Sequence, residues 1–438
     1  MNSSVVDLAS AVKRASRQVA VASREERDAA ILAAAQCLEE LRELLLAANT
    51  KDLEAANGLL AAGEISQALY DRLTLTDKKL EEMAKSMQAV ADLADPLGRI
   101  LQRTELDSGL ILEKVTCPLG VLAVIFEARP DAVTQITALA LKSGNAVILK
   151  PGAEVEHTAD ALVEIVRKSL AESGLPADIV AMIKGRDAAS ELLNMSGMVD
   201  LVIPRGSKSV VEYVQANTRI PVLGHAEGIC HVYVDAAADL NMALEIIDDA
   251  KTDYPAACNA AETVLVHESL ATTFLPLLAE RMRAKQVRLR GCKGTRAILR
   301  EFSVDPVAEN QWQHEYADLV LAVRVVPSID EAISHIHEYG SSHTETIVTE
   351  DRAAAEKFLA QVDSAGVFHN ASTRFADGYR YGLGAEVGIS TNKLHARGPV
   401  GLEGLTTYKY VLRGGGQVAR AYRGPDAKRF THRLLPMK

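Results

Sequence analysis

The sequence predicts an α/β protein with two α/β domains on parallel-sheet cores, and three observations carry that expectation. Between about 120 and 234, apolar runs without internal alternation (121–126, 147–149, 179–183, 201–203 and 230–234) are separated by helix-length segments. Such runs mark strands buried on both faces of a parallel sheet. After Asp235 the same alternation starts again, with strands expected at Val264, 319–326 and 346–348 and helices through Leu240, Leu244 and Ile247, over 270–283, and at 329–332. At 438 residues, 48% hydrophobic and 24% charged, the chain has enough length and apolar content for two or three domains with their own cores.

The elements follow in order. Residues 1 to about 95 read as successive helices: Ser23-Arg24-Glu25-Glu26 is a capping box, and the run behind it sets Ile31, Leu38, Leu41 and Leu45 on one side. A further helix is expected after Thr76, with Leu80, Met83, Met87 and Val90 as its buried stripe, stopping before Pro96. The 104–115 stretch reads as two extended segments around an Asp-Ser-Gly turn, a hairpin leaving the main body. The tail at 406–418 is β-branched and aromatic, then glycine-rich, and is expected to pair with that hairpin across a subunit boundary. His335, His337 and His343 crowd together, but the first two point to different faces of a helix, and all three are read as surface residues.

Several classes of function are disfavoured. A formal charge of -10 with no basic block argues against a nucleic-acid partner. Cys37, Cys117, Cys230, Cys258 and Cys292 are odd in number and scattered, with no Cys-x-x-Cys pair. They suit a reducing compartment, and no metal ligand is assigned. No basic start precedes an apolar run and no 18 consecutive residues are apolar, so the expectation is a cytoplasmic chain with no membrane partner. No Gly-x-Gly-x-x-Gly follows the first strand, and the 382–388 glycine cluster has the wrong spacing for a pyrophosphate cradle.

The stretch 252–263 (Thr-Asp-Tyr-Pro-Ala-Ala-Cys-Asn-Ala-Ala-Glu-Thr) sets Cys258 among small residues, between a proline and a strand. Small neighbours let a carbonyl approach the sulfur, and Asn259 offers donors without negative charge. Local chemistry alone leaves open the commoner role of cysteine, a small buried hydrophobe.

Six co-linear segments change that weighting. They are 126–131 (Phe-Glu-Ala-Arg-Pro-Asp), 142–150 (Lys-Ser-Gly-Asn-Ala-Val-Ile-Leu-Lys), 203–207 (Ile-Pro-Arg-Gly-Ser), 221–228 (Pro-Val-Leu-Gly-His-Ala-Glu-Gly), the Cys258 stretch, and 374–378 (Arg-Phe-Ala-Asp-Gly) running on to 388–391. From about 5 to 435 the chain resembles the gamma-glutamyl phosphate reductase (glutamate-5-semialdehyde dehydrogenase) branch of the aldehyde dehydrogenase superfamily. The resemblance implies an aldehyde-dehydrogenase-like fold: a nucleotide-binding domain over 1–98 and 118–232, a catalytic domain over 233–403, and an oligomerisation flap and tail over 99–117 and 404–438. It implies the NADPH-dependent reduction of L-glutamyl 5-phosphate in L-proline biosynthesis, a homo-oligomer, and association with glutamate 5-kinase. Cys258 is then the nucleophile and Asn259 an oxyanion donor. Lys150, Gly206, Ser207 and Glu315 are the NADP(H)-binding residues, with phosphate taken at a helix N-terminus and not by a glycine fingerprint.

The substrate's anionic groups call for cations, for which Arg129, Arg380 and Arg397 are candidates, each with a surface ion pair as the alternative. His225 either orients phosphate or caps a turn. Pro151 after Lys150 follows the wording of ordinary aldehyde dehydrogenases and loosens the inference of NADP over NAD. The glutamate that activates water in hydrolytic relatives is missing from 221–228, though Glu227 stands close by; a hydrolytic NAD(P)-dependent aldehyde dehydrogenase is the alternative activity.

Overall fold

The computed structural model describes residues 4–225, 227–394 and 396–437; Ala226, inside the 221–228 motif, lies outside them. The chain forms two compact units, one of residues 1–223, 383–388 and 400–438 and one of 224–382 and 389–399.

In the first unit the expected helices form. Ser23 and Glu26 complete the capping box of the helix Arg24–Glu40, and Thr76 caps Asp77–Asp92, whose Leu80, Met83, Met87 and Val90 are buried. The run through Leu41 is not one helix: it breaks there, and a second helix spans Arg42–Ala61. The parallel sheet has the order Val180–Met182, Ala146–Pro151, Val121–Phe126, Leu201–Arg205. Every residue of Val121–Phe126 is buried, as a strand covered on both faces requires. Lys142 and Asn145, from one of the six motifs, work as buried fasteners. Lys142 Nζ pairs with Asp28 at 2.7 Å and donates to the Ala91 carbonyl at 2.6 Å, while Asn145 binds the Gly120 N–H and the Leu405 carbonyl, both at 2.8 Å.

The hairpin forms from Ile100–Asp107 and Leu110–Pro118, turning at Gly109 with φ +71°, a left-handed value that favours glycine. The tail strand Thr406–Arg413 pairs with it as expected, but within the same chain: Thr406 faces Pro118 and Arg413 faces Ile111. That pairing therefore needs no second subunit. Arg433–Leu435 closes the other edge of this antiparallel sheet.

The second unit holds a seven-stranded parallel sheet in the order Val304–Pro306, Arg288–Gly291, Val320–Val326, Ala261–His267, Cys230–Val234, Thr344–Val348, Gly366–His369. One core gathers Phe274, Leu278 and Ile247, from the helices Glu268–Ala284 and Leu240–Thr252, against Val232, Val264 and Val323. A second core, around Tyr233, Ile333, Ile336 and Phe358, brings in the helices Ile329–Tyr339 and Arg352–Gln361. The sequence reading counts Cys230–Val234 with the first run of strands and sets the domain boundary at 232, inside it, whereas the sheet order makes the whole strand a central one of the second unit. An all-buried strand looks the same in either sheet, so its pattern could not decide. His335 and His343 are buried, at 3% and 0% exposure, contrary to their reading as surface residues; only His337 is exposed.

Candidate active site

Cys258 occupies the turn between the helix Leu240–Thr252 and the strand Ala261–His267. The helix stops before Pro255, and two short backbone bonds, Ala257 N–H to Tyr254 O at 3.1 Å and Ala260 N–H to Ala257 O at 2.9 Å, wind the small residues into a compact corner. The cysteine is partly exposed. Gly228 lies so close that a Cβ there would stand 2.0 Å from the Cys258 carbonyl oxygen, so only glycine permits this approach. The buried Cys230 thiol donates to the same carbonyl at 3.4 Å, and burial pushes its pKa well above the ordinary value. Of these two neighbouring thiols, Cys258 alone is placed to meet a substrate.

Sheet order assembles the rest. Ala261–His267, Cys230–Val234 and Thr344–Val348 are adjacent, and Cys258, His225 and His343 each precede one of these strands at the amino edge of the sheet. Neighbouring strands run about 4.8 Å apart, and a donor atom of each of the three side chains lies within 4.8 Å of the others. The His225 and His343 rings meet edge-on with centroids 4.9 Å apart, and His225 Nδ1 is 2.9 Å from the Ile389 carbonyl. The sequence reading gives His225 as a site candidate and takes His343 for a surface residue. The missing signal is 118 residues of separation closed only by the sheet.

Asn259 is buried, and its expected service as an oxyanion donor does not survive. Its amide hydrogens are turned to the Ala376 carbonyl at 2.9 Å and the Arg374 carbonyl at 3.5 Å, while its oxygen accepts from the Arg374 guanidinium. Both donors are spent inside the protein, so the side chain locks the Cys258 turn onto 374–376 instead. Arg374 also bonds Asp253 at 3.0 Å, and Arg380 reaches the same carboxylate at 3.3 Å. A hydrogen bond from Arg374 is the leading cause that lowers the Asp253 pKa. Arg380 is thus tied to the Cys258 stretch. Arg397 is paired elsewhere, with Asp363 at 2.9 Å.

Glu315 accepts the Gly228 N–H and is raised in pKa by burial, with His225 among the nearby charges that lower it. That puts it beside the glycine against which Cys258 packs. Its loop is anchored by Glu262, which accepts from the Ala317 N–H at 3.3 Å and pairs with the fully buried Lys251 at 3.1 Å. Burial pushes Glu262 up to about 7 despite that lysine. Neither Lys251 nor Glu262 was a candidate from sequence, since a buried ion pair eleven residues apart leaves no pattern.

In the first unit, Lys150 lies half-buried at the carboxyl end of Ala146–Pro151, and Arg129 follows Val121–Phe126. Gly206 and Ser207 open the helix Lys208–Ala216. The Glu127 carboxylate accepts the Ser207 N–H at 2.8 Å and its hydroxyl at 3.1 Å, and a Cβ on Gly206 would come within 2.5 Å of it. This helix N-terminus therefore takes an oxyanion, and the glycine keeps the approach open. Glu154 folds back over Gly152 and accepts the Ala128 N–H at 2.6 Å; Ala128 has φ +49°, a strained value for a residue with a Cβ.

A parallel sheet ending at an anion-accepting helix N-terminus, and a second carrying an accessible cysteine at its amino edge, define an enzyme of aldehyde dehydrogenase type. The aldehyde dehydrogenase family profile matches residues 2–290. The chain is 54% identical over 431 residues to a gamma-glutamyl phosphate reductase of Cyanothece, covering 98% of both chains, and 52% identical over 422 residues to one from Natronomonas pharaonis, covering 96% of both. The crystal structure of the Thermotoga maritima gamma-glutamyl phosphate reductase superposes with a TM-score of 0.92 at 40% identity, covering 95% of this chain and 100% of that one. An acetylating aldehyde dehydrogenase from Geobacillus thermoglucosidasius, at 16% identity and TM-score 0.66 over 94% of this chain and 97% of its own, shares the fold. The chain belongs to the gamma-glutamyl phosphate reductase family, within the aldehyde dehydrogenases.

Proposed function

We propose that the protein reduces L-glutamyl 5-phosphate to L-glutamate 5-semialdehyde and phosphate with NADPH, in L-proline biosynthesis, through a thioester on Cys258. The observation that carries the reading is the placement of Cys258: an accessible thiol on a turn of small residues, locked by Asn259 and Arg374, in a chain 54% identical to a named reductase.

The Cys258 thiolate attacks the acyl carbon, the C–O bond to phosphate breaks, and inorganic phosphate leaves with the electron pair. Asn259 keeps the thiol in place but gives no hydrogen bond to the developing oxyanion; we assign that to the Cys258 backbone N–H. Arg380, held at Asp253, is the cation we assign to the substrate's anionic groups, with Arg129 and Arg397 as further candidates, and His225, beside the sulfur, is the residue we assign to orienting the phosphate. A bound nicotinamide would supply the hydride; the C–S bond of the resulting thiohemiacetal on Cys258 then breaks, releasing the semialdehyde and returning the electron pair to the thiolate. Gly206 and Ser207 would hold its pyrophosphate where Glu127 now sits, Lys150 its adenosine ribose, and Glu315 its nicotinamide ribose. NADPH is preferred because Ala153 leaves room for a 2′-phosphate and Glu154 is held back by the Ala128 N–H.

The outward Tyr408, Tyr410 and Leu412 of the edge strand Thr406–Arg413 are the surface we assign to a second copy of the chain. Five free thiols suit a reducing cytoplasm.

The test runs the reaction backwards with semialdehyde and NADP. Oxidation is expected to depend strictly on added phosphate, with arsenate substituting, because phosphate is already anionic and needs no general base. Cys258→Ala is expected to lower the rate by ~10⁴-fold or more. Brisk cofactor reduction without phosphate, yielding glutamate, would make the protein a hydrolytic aldehyde dehydrogenase and Glu227 the next residue to change.

A further inference from the structure

The triangle of Cys258, His225 and His343 has a property that reduction of an acyl phosphate does not call on. One thiolate and two imidazoles are the donor set of a borderline-soft divalent cation, and three protein ligands leave a fourth position open. We propose that these three side chains form a binding site for zinc-class cations, and that its occupancy switches the enzyme off by engaging the nucleophile.

Three observations support the site. The donor atoms lie within 4.8 Å of one another. The edge of a tetrahedral zinc site with two nitrogens and a sulfur is about 3.5 Å, so closure needs a shift of up to about an ångström, shared between the partly exposed Cys258 and His225 side chains. His225 Nδ1 faces the Ile389 carbonyl at 2.9 Å. A carbonyl only accepts, so Nδ1 carries the hydrogen and Nε2 the lone pair; this is the support that orients metal-binding histidines. His343 is fully buried, its Nδ1 is 2.9 Å from the Thr344 hydroxyl, and its Nε2 has no hydrogen-bond partner among the described residues. A buried ring nitrogen left without a partner is a cost that a metal bond would remove.

Binding releases the thiol proton to solvent and joins sulfur to metal, so a loaded site has no free thiolate. Cation and acyl phosphate then compete for one sulfur. The inhibition rests on Cys258 being the nucleophile, whereas the binding does not.

The experiment uses the full-length protein stripped of metal by dialysis against chelator. Zinc is titrated in competition with a chromophoric chelator, and cobalt(II) is added separately to read the thiolate-to-cobalt charge-transfer absorption. One equivalent of zinc is expected to bind with Kd below ~1 µM, protect Cys258 from iodoacetamide, and abolish turnover until chelator is added. His343→Gln and His225→Gln, each checked for folding by its thermal transition, are expected to weaken zinc by ~100-fold or more, since even the partners of metal ligands are worth ~10–100-fold. Cys258→Ser is expected to lose the cobalt band. An unchanged zinc affinity in both histidine variants, or a cobalt band that survives Cys258→Ser, would overturn the site. If zinc binds at these residues while Cys258→Ala still turns over, the site stands and the nucleophile assignment falls. If Cys258→Ala is dead and zinc does not bind, the assignment stands and the site falls.

Discussion

The Glu127 carboxylate accepts the Ser207 backbone N–H at 2.8 Å, at the first turn of the helix Lys208–Ala216. A negative charge here interacts favourably with the helix dipole, and under the proposed function a cofactor pyrophosphate would have to take its place. Glu127→Gln removes the competing charge and is expected to lower the Kd for NADPH by ~3–10-fold while costing the ligand-free protein ~0.3–1 kcal/mol. Calorimetric titration and urea unfolding read the two effects, and weaker cofactor binding in the variant would mean that Glu127 helps the cofactor and does not compete with it.

Arg374 and Asn259 share one hydrogen-bonded unit with Asp253 behind Cys258. Removing either leaves the other's polar group unsatisfied, at ~1–3 kcal/mol. Arg374→Ala and Asn259→Ala are each expected to reduce kcat by ~10–100-fold, and the double variant to lose little more than either single one. Fully additive losses in the double-mutant cycle would show that the two act independently.

Gly228 has no room for a methyl group, since its Cβ would lie 2.0 Å from the Cys258 carbonyl oxygen and 2.6 Å from its Cα. Both obstacles are backbone. Gly228→Ala is expected to cost ~1–3 kcal/mol and to displace the thiol enough to lower kcat by ~10²-fold. A variant with the parent's rate and melting temperature would show that the approach is looser than this geometry.

His335 is buried, and burial, with His231 and Arg324 nearby, depresses its pKa from 6.5 to about 2. Its Nδ1 is 2.9 Å from an Arg324 nitrogen that can only donate, so the folded ring stays neutral. Below pH 6.5 the unfolded chain takes up a proton that the folded chain refuses. Stability is therefore lost as pH falls from 6.5 toward 2, at up to ~1.4 kcal/mol per pH unit. Between pH 7.5 and 5.5, His335→Gln is expected to lose ~1.4 kcal/mol less than the parent in urea unfolding, and equal losses would refute the assignment.

The sequence by itself determined the local elements and the family. Apolar runs such as 121–126, the Ser23–Glu26 capping box and the stripe from Leu80 to Val90 are short-range patterns set by strand and helix periods, and each forms as read. The likeness of the six segments, Cys258 among them, depends only on order along the chain. Tertiary structure decided what those patterns cannot encode. Cys230–Val234 is equally apolar in either sheet, and pairing chose the second. His343 looked like a surface residue until strand adjacency placed it beside Cys258 and His225. Asn259 lost its oxyanion role to carbonyls at 374 and 376, more than a hundred residues away. In each case the deciding contact is long-range: hydrogen bonding and burial act on distance in space, and distance along the chain does not report it.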